Sequence, residues 1–153
     1  MKKAAVSAAV IMIMLTAGCT GQNTAPKLKF GSSVDCSISC GGRDYRCKLS
    51  LVSDDTEKIT MTYPQSVEGV TFGRSGGNNT VSMDSLLCRS EGSFLPDDSV
   101  PVRAEEIIRY LKKNREEIKL FPDGDGYGND DLPGMKIRTD ENGTLAEVTA
   151  SGK

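Results

Sequence analysis

Histidine and tryptophan are both absent from this 153-residue chain. Without histidine the most frequent general base is missing, and with it the Ser-His-Asp arrangement and histidine-ligated zinc. Four tyrosines and four phenylalanines are the whole aromatic complement, too few for the stacking platforms that bind single-stranded nucleic acid. An excess of positive charge is also missing: 19 basic residues stand against 21 acidic ones. No basic stripe forms, so nucleic acid is not an expected partner. Serine, aspartate, glutamate and lysine occur, but no spacing unites a nucleophile, a base and an orienting group. Asp97–Asp98 falls in a loop between periodic segments. A non-enzymatic protein with no cofactor is expected. No internal repeat is visible.

The longest uncharged apolar stretch is fourteen residues, Ala4 to Ala17, short of the ~20 that a spanning helix needs. It follows MKK and precedes Gly18–Cys19, the layout of an export signal with a basic start, an apolar middle and small residues at the cleavage point. LTAGC, Leu15 to Cys19, resembles a bacterial lipobox, with Thr16 where leucine is commonest. That resemblance implies a diacylglyceryl group on the Cys19 thiol and cleavage just before it. Residues 1–18 are then a lipoprotein signal peptide, 19–29 the lipidated cysteine and a polar tether containing TGQNTAP, and 30–153 a single β-rich domain. The mature chain keeps 135 residues and a formal charge of −4, since Lys2 and Lys3 are lost. The membrane is its first partner, through the lipid anchor. The expected place is the bacterial cell envelope, either the outer face of the cytoplasmic membrane or, in a Gram-negative cell, the outer membrane.

Four cysteines remain: Cys36, Cys40, Cys47 and Cys88. In an exported domain an even count points to disulfides, and four cysteines allow three pairings. The C-x3-C-x6-C spacing differs from the paired C-x2-C units of zinc ribbons; buried free thiols are the second reading and a metal site the third.

From Ser33 the hydrophobic period is two. Val34, Cys36, Ile38 and Cys40 alternate with polar residues, GGRD (Gly41–Asp44) makes a turn, and Tyr45, Cys47, Leu49 and Leu51 continue the inward face. A four-residue turn puts Cys40 opposite Tyr45 and leaves Cys47 diagonal to Cys36 and Cys40. KITMTY places Ile59, Met61 and Tyr63 on one side, ended by Pro64. EGVTFG and TVSMDSLLC add Val70, Phe72, Val81 and Met83. The period then changes to 3.6. After Ser99 as N-cap and Pro101 in the first turn, Ala104, Ile107, Ile108 and Leu111 form one stripe. EIKLF, MKIRT and TLAEVT return to strand, the last two joined through Asn142–Gly143. The expected fold is mainly β (α+β): a curved antiparallel sheet or half-barrel of about eight strands with one amphipathic helix on its concave face.

One acidic run, FPDGDGYGNDD, has the composition of a calcium loop. On the EF-hand template Asp123 and Asp125 fill the first two ligand positions, but Tyr127 and Gly134 stand where a ligand and the bidentate Glu belong. A hairpin connection between EIKLF and MKIRT is the simpler reading. A calcium-dependent surface module using Asp123, Asp125, Asn129 and Asp131 is the alternative function.

The order of elements is informative as a whole: a lipoprotein signal, meandering strands, YPQSVEGVTF with its proline-to-glycine break, LCRSEGSFLPDDSVP leading into a helix, then a terminal hairpin. It resembles the LolA-, LolB- and LppX-like half-barrel lipoproteins and the GerS-like ones of spore formers. The likeness covers roughly residues 30–114 and, more weakly, 135–149, without the family's N-terminal helix and several strands. It implies an apolar concave face that holds a lipid, an acyl chain or a protein partner. The residues for such a face are Val34, Ile38, Leu49, Ile59, Met61, Tyr63, Phe72 and Met83, covered by Ile107 and Leu111. The competing reading is that these side chains simply fill a core.

Overall fold

The structure is a computed structural model that describes residues 24–52, 55–75, 78–92 and 95–151, without the side chains of 55–57 and 74–75. The signal segment, Cys19 and the first part of the tether lie outside the described residues. Six strands come first: β1 (Lys29–Cys40), β2 (Arg43–Val52), β3 (Asp55–Tyr63), β4 (Thr71–Ser75), β5 (Asn78–Met83) and β6 (Leu86–Ser90). The helix α1 (Val100–Lys113) follows, then β7 (Phe121–Asp123), β8 (Gly126–Leu132), β9 (Met135–Thr139) and β10 (Thr144–Ser151). Among the described residues all ten strands form one open sheet in the order β6-β5-β4-β3-β2-β1-β10-β9-β8-β7.

Over the described residues the protein is therefore mainly β with one helix, but its sheet is mixed and has ten strands where about eight antiparallel ones were expected. Every neighbouring pair is antiparallel except β1 and β10, which run parallel at the centre. A parallel pair needs a crossover connection, and here the crossover is everything from β2 to β9. The two extra strands come from turns that alternation hides. Asp84, with φ of 50°, turns the chain between β5 and β6, so TVSMDSLLC is a hairpin and not one run. FPDGDGYGNDD is likewise a hairpin in its own right. Gly124, with φ of 59°, lets β7 fold back on β8, and Phe121 faces Gly128 in register. Most of EIKLF is irregular, and only its Phe121 enters a strand.

The first hairpin is tighter than GGRD implies. Gly41 and Gly42 both have positive φ, 57° and 73°, the two central positions of a type I′ turn that matches the strands' twist. Cys40 then pairs with Arg43, Ile38 with Tyr45 and Cys36 with Cys47. The expected diagonal placement of Cys47 is corrected by one step of the ladder. At its other end, β1 is tied to the last turn by the Lys29 N–H, which donates to the Gly143 carbonyl at 2.8 Å. Leu28 is already buried, so the ordered domain begins slightly before residue 30.

Helix α1 starts at Ser99 and Pro101 as anticipated, although Ser99 makes no side-chain cap. It buries Val100, Pro101, Ala104, Ile108 and Leu111, one stripe at helical spacing. This stripe packs over β1 and β3. Beneath it Val34, Cys36, Cys47, Leu49, Ile59, Ile137, Leu145 and Val148 are all fully buried. Each large aliphatic side chain so enclosed contributes about 1.5–3 kcal/mol.

Close backbone approach sets the β8–β9 edge. A Cβ added at Gly126 would overlap the Thr139 carbonyl oxygen, whereas one at Gly92 would meet nothing within 4 Å. Gly126→Ala is expected to lower the unfolding free energy by about 2–4 kcal/mol, and Gly92→Ala to stay within about 0.5 kcal/mol of the parent. Urea denaturation of the two variants checks the contrast.

Candidate binding groove

Strand β3 is extended by an excursion that folds back on it. After Pro64 a short 3₁₀ turn, Gln65–Val67, leads to Gly69, whose φ of 85° reverses the chain. The Gly69 N–H then donates to the Met61 carbonyl at 2.9 Å, and the Met61 N–H to the Val70 carbonyl at 2.8 Å. These bonds hold Val67 and Val70 above the sheet, facing the first turn of α1. Tyr45 from β2, Met61 from β3 and Phe72 from β4 make the floor, and Val100 with Pro101 the far wall. The groove is open to solvent, has a volume of about 270 Å³ and also touches Cys40, Asp98 and Ser99. Its lining is mainly apolar, and the Ser99 hydroxyl is buried there without a hydrogen-bond partner.

On the opposite flank of α1 lies a second depression of about 350 Å³, bounded by Ile38, Arg103, Glu106, Ile107, Met135 and Ala150 among others. Cys40 and Asp98 border both spaces, and the Cys40 thiol points its sulfur at the Asp98 carbonyl at 4.0 Å. Arg103 and Glu106 make this second depression more polar than the first.

The residues expected on an apolar concave face divide into three groups. Val34, Ile38, Leu49, Ile59 and Leu111 are core, each no more than 3% exposed. Met61 is buried but reaches the first groove, Phe72 is half-buried in its floor, and half-buried Ile107 belongs to the second depression. Tyr63 and Met83 do not join them, being 48% and 42% exposed. For Tyr63 the cause is a bulge: Cys47 pairs with Met61 but Arg46 with Tyr63, leaving Thr62 unpaired. An extra residue inverts the alternation, so Tyr63 sits on the outer face with the Arg46 guanidinium 5.5 Å from its ring centre. Met83 lies on β5, beyond the reach of α1, beside the exposed Leu86 and Leu87 of the edge strand β6.

The four cysteines are free thiols, which corrects the disulfide expectation for the described residues. Cys36 and Cys47 are buried and face each other, Cys40 is half-buried and Cys88 exposed. A hydrogen bond from the Cys47 side chain, reinforced by burial, pushes the Cys36 thiol far above the ordinary thiol range.

The four calcium candidates do not converge on one point. Asn129 is buried, donating its amide to the Lys119 carbonyl at 2.7 Å and accepting from the Asp131 N–H at 2.8 Å. Asp123 pairs with Arg138, Asp125 lies in the exposed β7–β8 turn, and neighbouring Asp130 pairs with Arg138 at 2.7 Å and Lys136 at 3.6 Å. Among the described residues no three His, Cys, Asp or Glu side chains gather as a metal shell. Nor is any helix there long and apolar enough to cross a membrane.

The groove's walls at Val67, Ser99, Val100 and Pro101 were not anticipated. The signal for Val67 and Val70 was present in PQSVEGV, where Val67 lies between a proline and a glycine and Val70 follows the glycine, three residues on. No protein-family model, curated protein or solved structure matches this chain.

Two exposed carboxylates organise the second half of the sheet. Asp130 is held below the ordinary range mainly by the Arg138 hydrogen bond. Asp140 is lowered mainly by the Thr144 and Asn142 backbone N–H groups, which donate to its Oδ1 at 2.8 and 2.9 Å. A depressed carboxylate stabilises the fold above its unfolded value of about 3.9, and that support is lost as pH falls through the lower folded value. In a carbon-detected NMR titration both residues are expected to protonate below ordinary aspartates. Arg138→Gln is expected to return Asp130 toward the usual range and leave Asp140 unchanged.

Proposed function

We propose that this protein is a non-enzymatic exported lipoprotein, anchored through Cys19, whose domain is a small half-barrel of the LolA-like kind that holds a single acyl chain. The observation that carries the reading is the apolar groove between the first turn of α1 and the Pro64–Val70 excursion. Most of the apolar face is already filled by α1, so the groove is the part left for a ligand. At about 270 Å³ it falls just below the ~300–1,000 Å³ typical of small-molecule sites. That size favours one short or partly inserted chain over a diacyl lipid. Asp98 at the rim disfavours an anionic headgroup, so a neutral or zwitterionic single-chain amphiphile is the preferred occupant. The LTAGC motif supports the anchor, and each buried anchor methylene contributes about 0.8 kcal/mol to membrane binding.

Binding is checked by incubating the purified protein with spin-labelled lysophosphatidylcholine. Immobilisation of the label is expected, with affinity reduced about tenfold or more in Val70→Asp, since a buried unpaired carboxylate costs well over the 1.4 kcal/mol that tenfold represents. Leu87→Asp, on the exposed edge strand, serves as the control. An immobile label in Val70→Asp, or a freely tumbling one with the parent, sinks the reading.

The anchor is tested separately. Cys19→Ser is expected to abolish incorporation of radiolabelled palmitate and to move the protein from the membrane to the soluble fraction. Unchanged labelling would remove the lipoprotein assignment while leaving the groove reading intact.

A further inference from the structure

Phe121, Asn129 and Asp131 of the acidic run do not gather around an ion, yet all three border one depression of about 300 Å³. Its other wall is the end of α1, with Tyr110 and Asn114, and the segment 117–119 that follows. The apolar groove lies at the first turn of α1, and the two spaces share no lining residue.

Hydrogen bonds tie the walls together. The Asn114 carbonyl accepts from the Glu117 N–H at 2.9 Å and the Ile118 N–H at 3.2 Å, while the Asn114 amide donates to the Tyr110 carbonyl at 2.8 Å. On the other side the Asn129 amide crosses to the Lys119 carbonyl, and the Asp131 N–H returns to the Asn129 Oδ1. Helix end, connecting segment and β8 are thereby fixed against one another, and the depression is preformed, as small-molecule sites usually are.

Two aromatic rings are left bare there. Tyr110 is 38% exposed and Phe121 51%. Phe121 is matched across the ladder by Gly128, which has no side chain to cover it. Tyr63, the other exposed aromatic among the described residues, already carries the Arg46 guanidinium. The charges around the two rings are mixed. Glu117, Lys119 and Asp131 are all exposed, and among the described residues no ion pair takes up any of them.

That lining narrows the ligand class. A wholly apolar ligand strips water from three charged groups without replacing their hydrogen bonds. A phosphate or carboxylate faces two carboxylates, and an organic cation faces Lys119 together with Lys112 and Lys113 of the last helical turn. A neutral polyhydroxylated ring suits every part. Its C–H face packs on aromatic rings, neighbouring hydroxyls donate to the two oxygens of one carboxylate, and a hydroxyl oxygen accepts from an ammonium. We propose that this depression binds a neutral saccharide, one pyranose ring lying on Tyr110 and Phe121 with its hydroxyls bonded to Glu117, Lys119 and Asp131. The site stands independently of the acyl-chain reading.

The test is a titration of isotope-labelled protein with maltotriose, cellotriose and N,N′,N″-triacetylchitotriose, followed in the amide NMR spectrum. At least one sugar is expected to bind at millimolar concentration or below, shifting the Tyr110, Phe121 and Asp131 amides and the Asn129 side-chain amide. The affinity is expected to be unchanged by added salt, since a neutral ligand has no charge to screen. Phe121→Ala, at an exposed position, is expected to fold and to bind about tenfold more weakly, whereas Phe121→Tyr keeps the ring and binds like the parent. Asp131→Asn replaces a charge-assisted acceptor with a neutral one and is expected to weaken binding severalfold. Val70→Asp, in the other groove, is expected to leave sugar binding intact, so failure of one site is read apart from failure of the other. No shift with any of the three sugars, shifts confined to another surface, a salt-dependent affinity, or an unchanged Phe121→Ala would each overturn the assignment.

Discussion

Strand β1 is hydrogen-bonded on both edges, to β2 antiparallel and to β10 parallel, and the remaining architecture hangs on that double pairing. The first partner is local: a two-residue turn delivers it at once. The second is the last strand of the chain, reached only after the six-strand meander, the helix and the return meander. Closing so long a loop costs entropy that grows slowly with its length, and the enclosed core repays it. Leu28, Val34, Cys36 and Ile38 from the N-terminal strand region meet Leu145 and Val148 from β10 in one buried cluster. Neither meander has a complete inner face without the other.

Covering that joint is the task of α1, and the way it does so creates the groove. Its stripe of Ala104, Ile108 and Leu111 is fully enclosed, which removes most of the sheet's apolar face from any ligand. Val100 and Pro101 of its first turn and Val67 and Val70 of the Pro64–Val70 excursion line the two sides of that groove. The groove is thus a consequence of one strand turning back early. Local hydrogen bonds to Met61, not a dedicated ligand shell, keep it open. Charge plays a smaller part. The Asp123–Arg138–Asp130 cluster and the Asp140 turn organise exposed edges, where ion pairs contribute little each.

Much of this order was legible from periodicity. The alternating runs at residues 34–40, 45–51 and 59–61 became β1, β2 and β3 with the predicted inner faces, and the helix came out as a single amphipathic stripe between Ser99 and Asn114. The failures share a cause. Tyr63 alternates with Met61 in sequence, yet an extra residue at Thr62 turns it outward, and a bulge leaves no trace in a two-residue period. FPDGDGYGNDD looked like a connection because glycine and aspartate are turn formers. Its Gly126 and Gly128 are instead strand residues chosen for close approach to Thr139, Ile137 and Arg138.

Local chemistry along the chain was enough to determine the mainly β class, the amphipathic helix α1 and the Asn142–Gly143 turn, because each depends on residues within a few positions of one another. Only the tertiary structure decided that β1 and β10 are parallel neighbours, which apolar residues are core and which line a groove, and that Cys36, Cys47 and Met61 stand in one row. Those outcomes depend on register and on strands more than a hundred residues apart. A shift of one or two positions there exchanges partners and faces while leaving every local pattern unchanged.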